Sequence, residues 1–402
     1  MIKGSKYTTI TLVGMLVVAS AATVYLFREH YAPPLASVTT ATTSPAQTVP
    51  VGVVYYLWYG NATTGVGGLG SPGWNSTSCP GGGAVVDRPN LGYYVSDSNQ
   101  TFQTQISEMQ SAGISFAVVS WWGPFTHGEA GAINKATHDL FSYLKATNST
   151  FKVAVMVDAF PGTCSPPLPD VPMSQVYDYI YSNFAAPYGR WYFDWQNRPL
   201  LVTFNPVEPL YNDTRFTSRT IGNYACRPVE TCAGHSSNQK LDWIWWDAPA
   251  NFSQGEGGTG VNMTNDIGNP VISTDGEVTL VPRIDSFPDY ALGYQAGYLK
   301  FDSTLTLGLY QYEWSYIVSH RDEIRLVLIY SWNEYHERTA IELQSTTELS
   351  PAYLLDITSS FIFKVRSNFV FDNQERLTAT QGPIEVAVKS PCHLRVRFNS
   401  II

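Results

Sequence analysis

Charge is scarce in this chain: 24 Lys and Arg stand against 33 Asp and Glu, and ionisable residues of these types make up 14% of it, below the roughly 25% of ordinary soluble domains. The few cations form no basic run. That excludes a nucleic-acid partner, because phosphate binding needs clustered Lys and Arg. Gly65 to Gly70 does not open an apolar helix, so no phosphate-cradling motif is present and no nucleotide cofactor is expected. Five cysteines show no Cys-x-x-Cys or Cys/His zinc spacing, and none lies near the acidic segment described below, which argues against a thiol nucleophile. Cys226 with Cys232, and Cys79 with Cys164, are the pairs that would staple loops outside a cell. There is no internal repeat at a fixed period.

A surface poor in ionisable groups and rich in Tyr, Ser, Thr and Asn changes little in charge at low pH, so the expectation is an exoprotein of an acidic environment. The N-terminus agrees with export. Lys3 and Lys6 precede Thr8 to Phe27, a stretch of about 20 uncharged residues and long enough to cross a bilayer. Ala19-Ser20-Ala21 resembles a signal-peptidase site, but apolar residues continue through Phe27, so an uncleaved anchor is favoured over a cleaved signal. The expected location is the outer face of the cell membrane, or the medium. Residues 31–50 are Pro, Thr, Ser and Ala without a charge and read as a tether. Seven Asn-x-Ser/Thr sequons, at Asn61, Asn75, Asn99, Asn148, Asn212, Asn251 and Asn262, all follow that tether, as expected of an outward-facing glycoprotein.

From Val51 onward apolar runs alternate with longer polar segments: Val51 to Tyr59, Ile114 to Trp122, Lys152 to Phe160, Pro199 to Pro206, Arg215 to Gly222, Asp242 to Pro249, Thr279 to Phe287 and Arg325 to Trp332. Helical spacing of Phe102, Ile106 and Met109 within Thr101 to Ala112, and of Leu140 and Leu144 within His138 to Thr147, places helices between them. Eight strands alternating with helices predict a closed (β/α)8 TIM barrel over residues 51–363. A last helix from Pro351 to Phe363 precedes a short β-rich extension over 364–402, with alternation in 384–388 and 394–398. The Gly-rich connection from Asn61 to Asn90 and the similar one from Ala250 to Gly276 suit the walls of a cleft.

The segment that carries chemistry is Ser331 to Glu342. It sets Glu334 and Glu337 directly after the apolar run Leu326 to Tyr330, where a barrel strand delivers residues to the active face. Residues three apart point in opposite directions on a strand, so the strand must end near Trp332 or Asn333 for the two carboxylates to meet. One carboxyl that keeps its proton beside one that stays ionised is the arrangement glycoside cleavage needs. A surface hydrogen-bond cluster and a metal site on Glu334, His336 and Glu337 are the competing readings. Aromatic residues make up 14% of the chain and crowd the strand ends. Tyr56, Tyr59 and Trp246, with Asp247, Asn333 and His336, are candidates for sugar faces and hydroxyls, although the rings suit a core equally well.

Three separated segments resemble glycoside hydrolase family 99, the endo-α-1,2-mannosidases and endo-α-1,2-mannanases. These are Tyr55-Tyr-Leu-Trp-Tyr-Gly-Asn61, Gln105 to Ile114 leading into Val118-Val-Ser-Trp-Trp122, and Trp332-Asn-Glu-Tyr-His-Glu337, which is similar to the family's Asn-Glu-Trp-His-Glu signature. The resemblance implies a (β/α)8 fold, an α-mannose-containing glycan as substrate, no metal or cofactor, and a retaining reaction in which the sugar's own 2-hydroxyl attacks to give a 1,2-anhydro intermediate. It assigns Glu334 as the base for that hydroxyl and Glu337 as the acid for the leaving oxygen, places Trp122 at a glycone subsite and puts Asp158 at an acidic position of the third strand. The family has Trp where Tyr335 stands and Gly where Arg338 stands, so Arg338 is expected to narrow or recharge a subsite, or to pair with Glu337. A non-catalytic carbohydrate-binding barrel, and an enzyme of α-glucans or surface polysaccharides, are the alternatives.

Overall fold

The computed structural model describes residues 48–60, 74, 85–158, 171–204, 212–222, 241–244, 270–285, 303–346 and 350–366, with short strand segments at 261–262, 299–300, 370–371, 377–378, 386–388 and 394–396. The chain divides into two compact units, Met1–Gln47 and Thr48–Ile402. The first unit, with the expected anchor, lies outside the described residues, as do all five cysteines and the sequons at Asn61, Asn75 and Asn251. Among the described residues no helix is long and apolar enough to cross a membrane.

Eight parallel strands form the second unit's core: β1 (Val51–Tyr56), β2 (Phe116–Trp121), β3 (Lys152–Asp158), β4 (Arg198–Phe204), β5 (Thr217–Gly222), β6 (Trp243–Ile244), β7 (Glu277–Leu280) and β8 (Leu326–Ile329). They run in the order β7-β8-β1-β2-β3-β4-β5-β6. β6 and β7 lie in contact. The result is a nearly closed eight-stranded parallel barrel, the TIM-barrel architecture expected of the alternating pattern. Each apolar run became a strand because its two faces are both covered, by the barrel interior and by the helices; β1, β2, β7 and β8 are buried at every position. Gly52 of β1 is needed for this packing, since a Cβ there would come within 2.2 Å of the Phe116 ring. Phe116 in turn stacks on Phe193 at 3.7 Å.

The helices are α1 (Asn99–Ser111), α2 (Gly128–Ala146), α3 (Met173–Ile180), α4 (Ser303–Ser319) and α5 (Tyr353–Arg366). α1 buries Phe102, Ile106 and Met109 as the periodicity predicts. α2 begins ten residues before His138 because its first turns carry small residues rather than an apolar stripe. At Gly131 a Cβ would stand 2.5 Å from the Thr126 carbonyl carbon, so only glycine lets this turn approach the preceding loop. Asn148 follows α2 in the left-handed region, φ 52°, a conformation Asn tolerates at a helix end. α5 runs to Arg366, three residues past the expected boundary. The alternating tail forms an antiparallel hairpin that pairs Val386 with Val396 and Val388 with Leu394.

Candidate active site

Beyond β8 the chain turns back on itself and forms a closed loop over 331–342 at the C-terminal mouth of the barrel. The Ser331 and Thr339 hydroxyls meet at 2.9 Å, the Ile341 N–H donates to the Ser331 carbonyl at 3.2 Å, and the Glu342 N–H donates to the Trp332 carbonyl at 3.0 Å. The ladder stops at Ile329, earlier than expected, yet the Trp332 N–H still reaches Val54 of β1 at 2.7 Å. Ser331 starts the turn: its Oγ accepts the Glu334 N–H at 2.8 Å, a local bond that draws the backbone out of extended geometry.

Glu334 is buried, and its Oε1 accepts the His336 N–H at 2.8 Å while the His336 Nδ1 stands 3.1 Å away. The His336 ring is stacked on Tyr59 at 6.1 Å and meets Trp58 edge-on at 5.8 Å. Glu337 is half-buried, and its Oε2 accepts the Tyr330 hydroxyl at 2.9 Å. Tyr330 accepts the Tyr56 hydroxyl at 3.0 Å. Burial holds both phenols well above their ordinary range; Glu334, Asp158 and Glu337 raise Tyr56 further, and Glu337, Tyr56 and Glu334 raise Tyr330 further. Three carboxyls thus surround one pair of phenols.

Asp158 ends β3, and its Oδ2 accepts the Ser120 hydroxyl at 2.8 Å, while the Trp122 Nε1–H donates to Ser120 at 3.2 Å. Its Oδ1 is buried without a hydrogen-bond partner among the described residues. Burial pushes Asp158 up to about 6, with the Ser120 hydroxyl opposing and Glu334 adding to the rise. Trp122 and Trp58 are half-buried and edge-on to each other at 5.6 Å, and Trp58 lies 4.3 Å from Tyr56. They form an aromatic wall beside the carboxyls.

Asn333 and Tyr59 are both fully buried. The Asn333 Oδ1 accepts the Tyr56 N–H at 2.9 Å, and its Nδ2 donates to the Tyr56 carbonyl at 2.9 Å and to the Tyr94 hydroxyl at 3.0 Å. This amide clamps β1 to the loop. The Tyr59 hydroxyl donates to the Asn333 carbonyl at 2.7 Å and accepts the Tyr335 N–H at 3.1 Å, while its ring stacks on Trp74 at 4.1 Å. Trp246 and Asp247 lie outside the described residues.

Arg338 has φ 58°, the left-handed region where glycine is at ease. Its Nη2 and Nε grip Asp87 at 2.9 and 3.0 Å and its Nη1 reaches Asp285 at 3.1 Å; Arg283 also binds Asp87, at 2.5 Å. The Asp285 N–H donates to the Glu337 carbonyl at 2.8 Å, so the cluster braces the backbone that carries Glu337. Trp58, Tyr330, Ser120, Asp87 and Glu342 were not singled out from the sequence. Trp58 and Ser120 stand within the motifs named above, Tyr330 ends the last apolar run and Glu342 closes the acidic segment, whereas Asp87 offered no signal of its own. Among the described residues no group of three or more His, Cys, Asp or Glu is placed to hold a metal ion.

No family model matches the chain, and no curated protein matches it. Among solved structures it is similar to the glycoside hydrolase family 99 endo-α-mannosidase from Bacteroides thetaiotaomicron. In the complex of that protein with bis-tris propane the likeness has a TM-score of 0.51 at 17% identity and covers 79% of this chain and 97% of that one. A second structure of the same enzyme gives 0.50 at 16% identity over the same shares. The resemblance read from the three sequence segments is therefore met at the level of fold.

Proposed function

We infer that the protein is an exported glycoside hydrolase that cleaves internal α-mannosidic linkages of the α-1,2 type, with retention. The observation that carries this reading is that one closed loop buries Glu334 against His336 and sets Glu337 on the Tyr330 hydroxyl, itself bonded to Tyr56, beside a Trp58–Trp122 wall. The fold likeness to a family 99 endo-α-mannosidase supports the substrate class.

In this reading Glu334, held by His336, takes the proton of the 2-hydroxyl as that oxygen bonds to the anomeric carbon from the face opposite the leaving group. The bond from the anomeric carbon to the leaving oxygen breaks as Glu337 gives that oxygen its proton. The resulting 1,2-anhydro sugar is opened by a water that Glu337 deprotonates, while Glu334 returns the proton to O2. Two inversions give net retention. The half-exposure of Glu337 suits a group that meets first the leaving oxygen and then water, and the buried setting of Glu334 suits a base that meets substrate alone. Export rests on the uncharged stretch from Thr8 to Phe27 and on the tether after it.

The test is sugar release by the full-length protein from α-mannans, α-glucans and high-mannose glycans, with Glu334→Gln and Glu337→Gln beside it. Each substitution should lower turnover of α-1,2-linked mannose by about 10²- to 10⁴-fold. Turnover that survives either change removes the assigned pair, and saturable binding without turnover makes the barrel a carbohydrate-binding protein.

A further inference from the structure

One buried carboxylate beside the site has no part in the scheme above. Glu342 closes the 331–342 loop, is 1% exposed, and gathers three donors: the Tyr94 hydroxyl at 2.9 Å and the Tyr335 hydroxyl at 2.7 Å on Oε2, and the Gln105 side-chain amide at 2.7 Å on Oε1. Gln105 is itself held by the Tyr55 hydroxyl. These partners come from α1, from the segment before it, from β1 and from the loop itself, so the carboxylate is a junction between the loop and the barrel wall.

The bonds lead on to Glu334 from both sides. On one side Tyr94, which donates to Glu342, accepts the Asn333 amide, and Asn333 grips both backbone polar groups of Tyr56. On the other, Tyr335 donates its hydroxyl to Glu342 and its backbone N–H to Tyr59, whose hydroxyl returns to the Asn333 carbonyl. We propose that Glu342 is a positioning residue for the reaction: through Tyr94 and Tyr335 its carboxylate fixes the two residues that flank Glu334 and so sets where the Glu334 carboxylate stands. This rests on the glycosidase reading.

Three hydrogen bonds onto one fully buried carboxyl hold its partners in a single geometry, and small displacements of a reacting group cost large factors in rate. Glu342→Gln keeps the shape but sets an amide N–H₂ against one of the three donors. Tyr335→Phe removes one donor and leaves the packing, so it serves if the first variant folds poorly. Glu277→Gln, at the opposite end of the barrel and equally buried, is the control for a loss of core stability alone.

Two readouts separate this proposal from the reading it rests on. Steady-state kinetics on α-mannan should show kcat lowered about 10- to 100-fold in Glu342→Gln with KM within about threefold, and a smaller fall in Tyr335→Phe, while Glu277→Gln retains kcat. Backbone hydrogen exchange, which needs no activity, should quicken over 331–342 in Glu342→Gln and not in Glu277→Gln. An active wild type whose Glu342→Gln and Tyr335→Phe forms keep kcat within twofold overturns the proposal. A fall in kcat that Glu277→Gln shares overturns it too. A wild type without turnover removes the glycosidase reading; unchanged exchange in the variant then removes the junction as well, and faster exchange confined to the loop upholds it.

Discussion

Asp158 and Asp275 sit at opposite ends of the barrel and have opposite surroundings. Asp275, before β7 at the N-terminal end, receives Arg219 of β5 at 2.7 Å, the Trp195 and Trp243 indole N–H groups at 3.1 Å each, and the Ser273 hydroxyl at 2.7 Å. These donors overcome its burial and hold it down to about 2. Asp158, at the mouth, has one hydroxyl on one oxygen, none on the other among the described residues, and Glu334 as an acidic neighbour. A satisfied carboxylate ties strands together, here across the β6–β7 seam where the barrel is least continuous. The carboxyl at the mouth keeps one oxygen without a hydrogen-bond partner among the described residues.

If this contrast is right, removing each group should damage a different property. Asp275→Ala leaves a guanidinium and two indole N–H groups without their acceptor and should cost about 3 kcal/mol of stability, read from denaturant unfolding, with turnover per folded molecule unchanged. Asp158→Asn should do the reverse: it retains an acceptor for Ser120, should alter the shape of the pH–rate profile near pH 6, and should leave stability at pH 7 equal or higher. A matched stability loss in both variants would break the comparison.

A smaller effect concerns pH and the whole fold. Burial pushes Asp158 up to about 6 and Glu342 and Glu108 up to about 7, and holds Glu277 and Glu313 well above the usual carboxylate range. A raised carboxyl binds its proton more tightly folded than unfolded, so its contribution is fully present below about pH 4 and is lost as pH rises through its folded value. Asp275 works the other way: its contribution is present above about pH 4 and is lost as pH falls toward 2. The raised groups outnumber it, so the melting temperature should be higher near pH 4.5 than near pH 7.5, by an amount equivalent to a few kcal/mol. Calorimetry at the two values checks this, and a higher melting temperature at neutral pH would contradict it.

Most of the eight runs became strands covered on both faces, which leave their mark in composition, whereas the seventh strand is Glu277–Leu280 and overlaps its expected run only at Thr279 and Leu280, and the fifth, Thr217–Gly222, is partly exposed. α4 left no such mark: Ser303 to Ser319 mixes apolar and polar residues around its whole circumference, and without a stripe there is no helical period to read. α3 does carry a helical stripe, burying Val176, Tyr177 and Ile180, so its period was there to be read despite its eight residues. At the site, Glu334 and Glu337 were legible because they follow a strand in a dense motif. The partners of Asn333 were not, since Tyr56 is 277 residues away.

Local chemistry determined the eight-strand alternation, the acidic segment at the end of the last strand and the aromatic strand ends, because each depends on neighbours along the chain. Only the tertiary structure decided that Asn333 clamps β1, that Arg338 is bound by Asp87 and Asp285, and that Glu342 gathers Tyr94, Tyr335 and Gln105. Those roles belong to hydrogen-bond donors and acceptors brought together by barrel closure, and a buried polar group shows what it does only once its partner is in place.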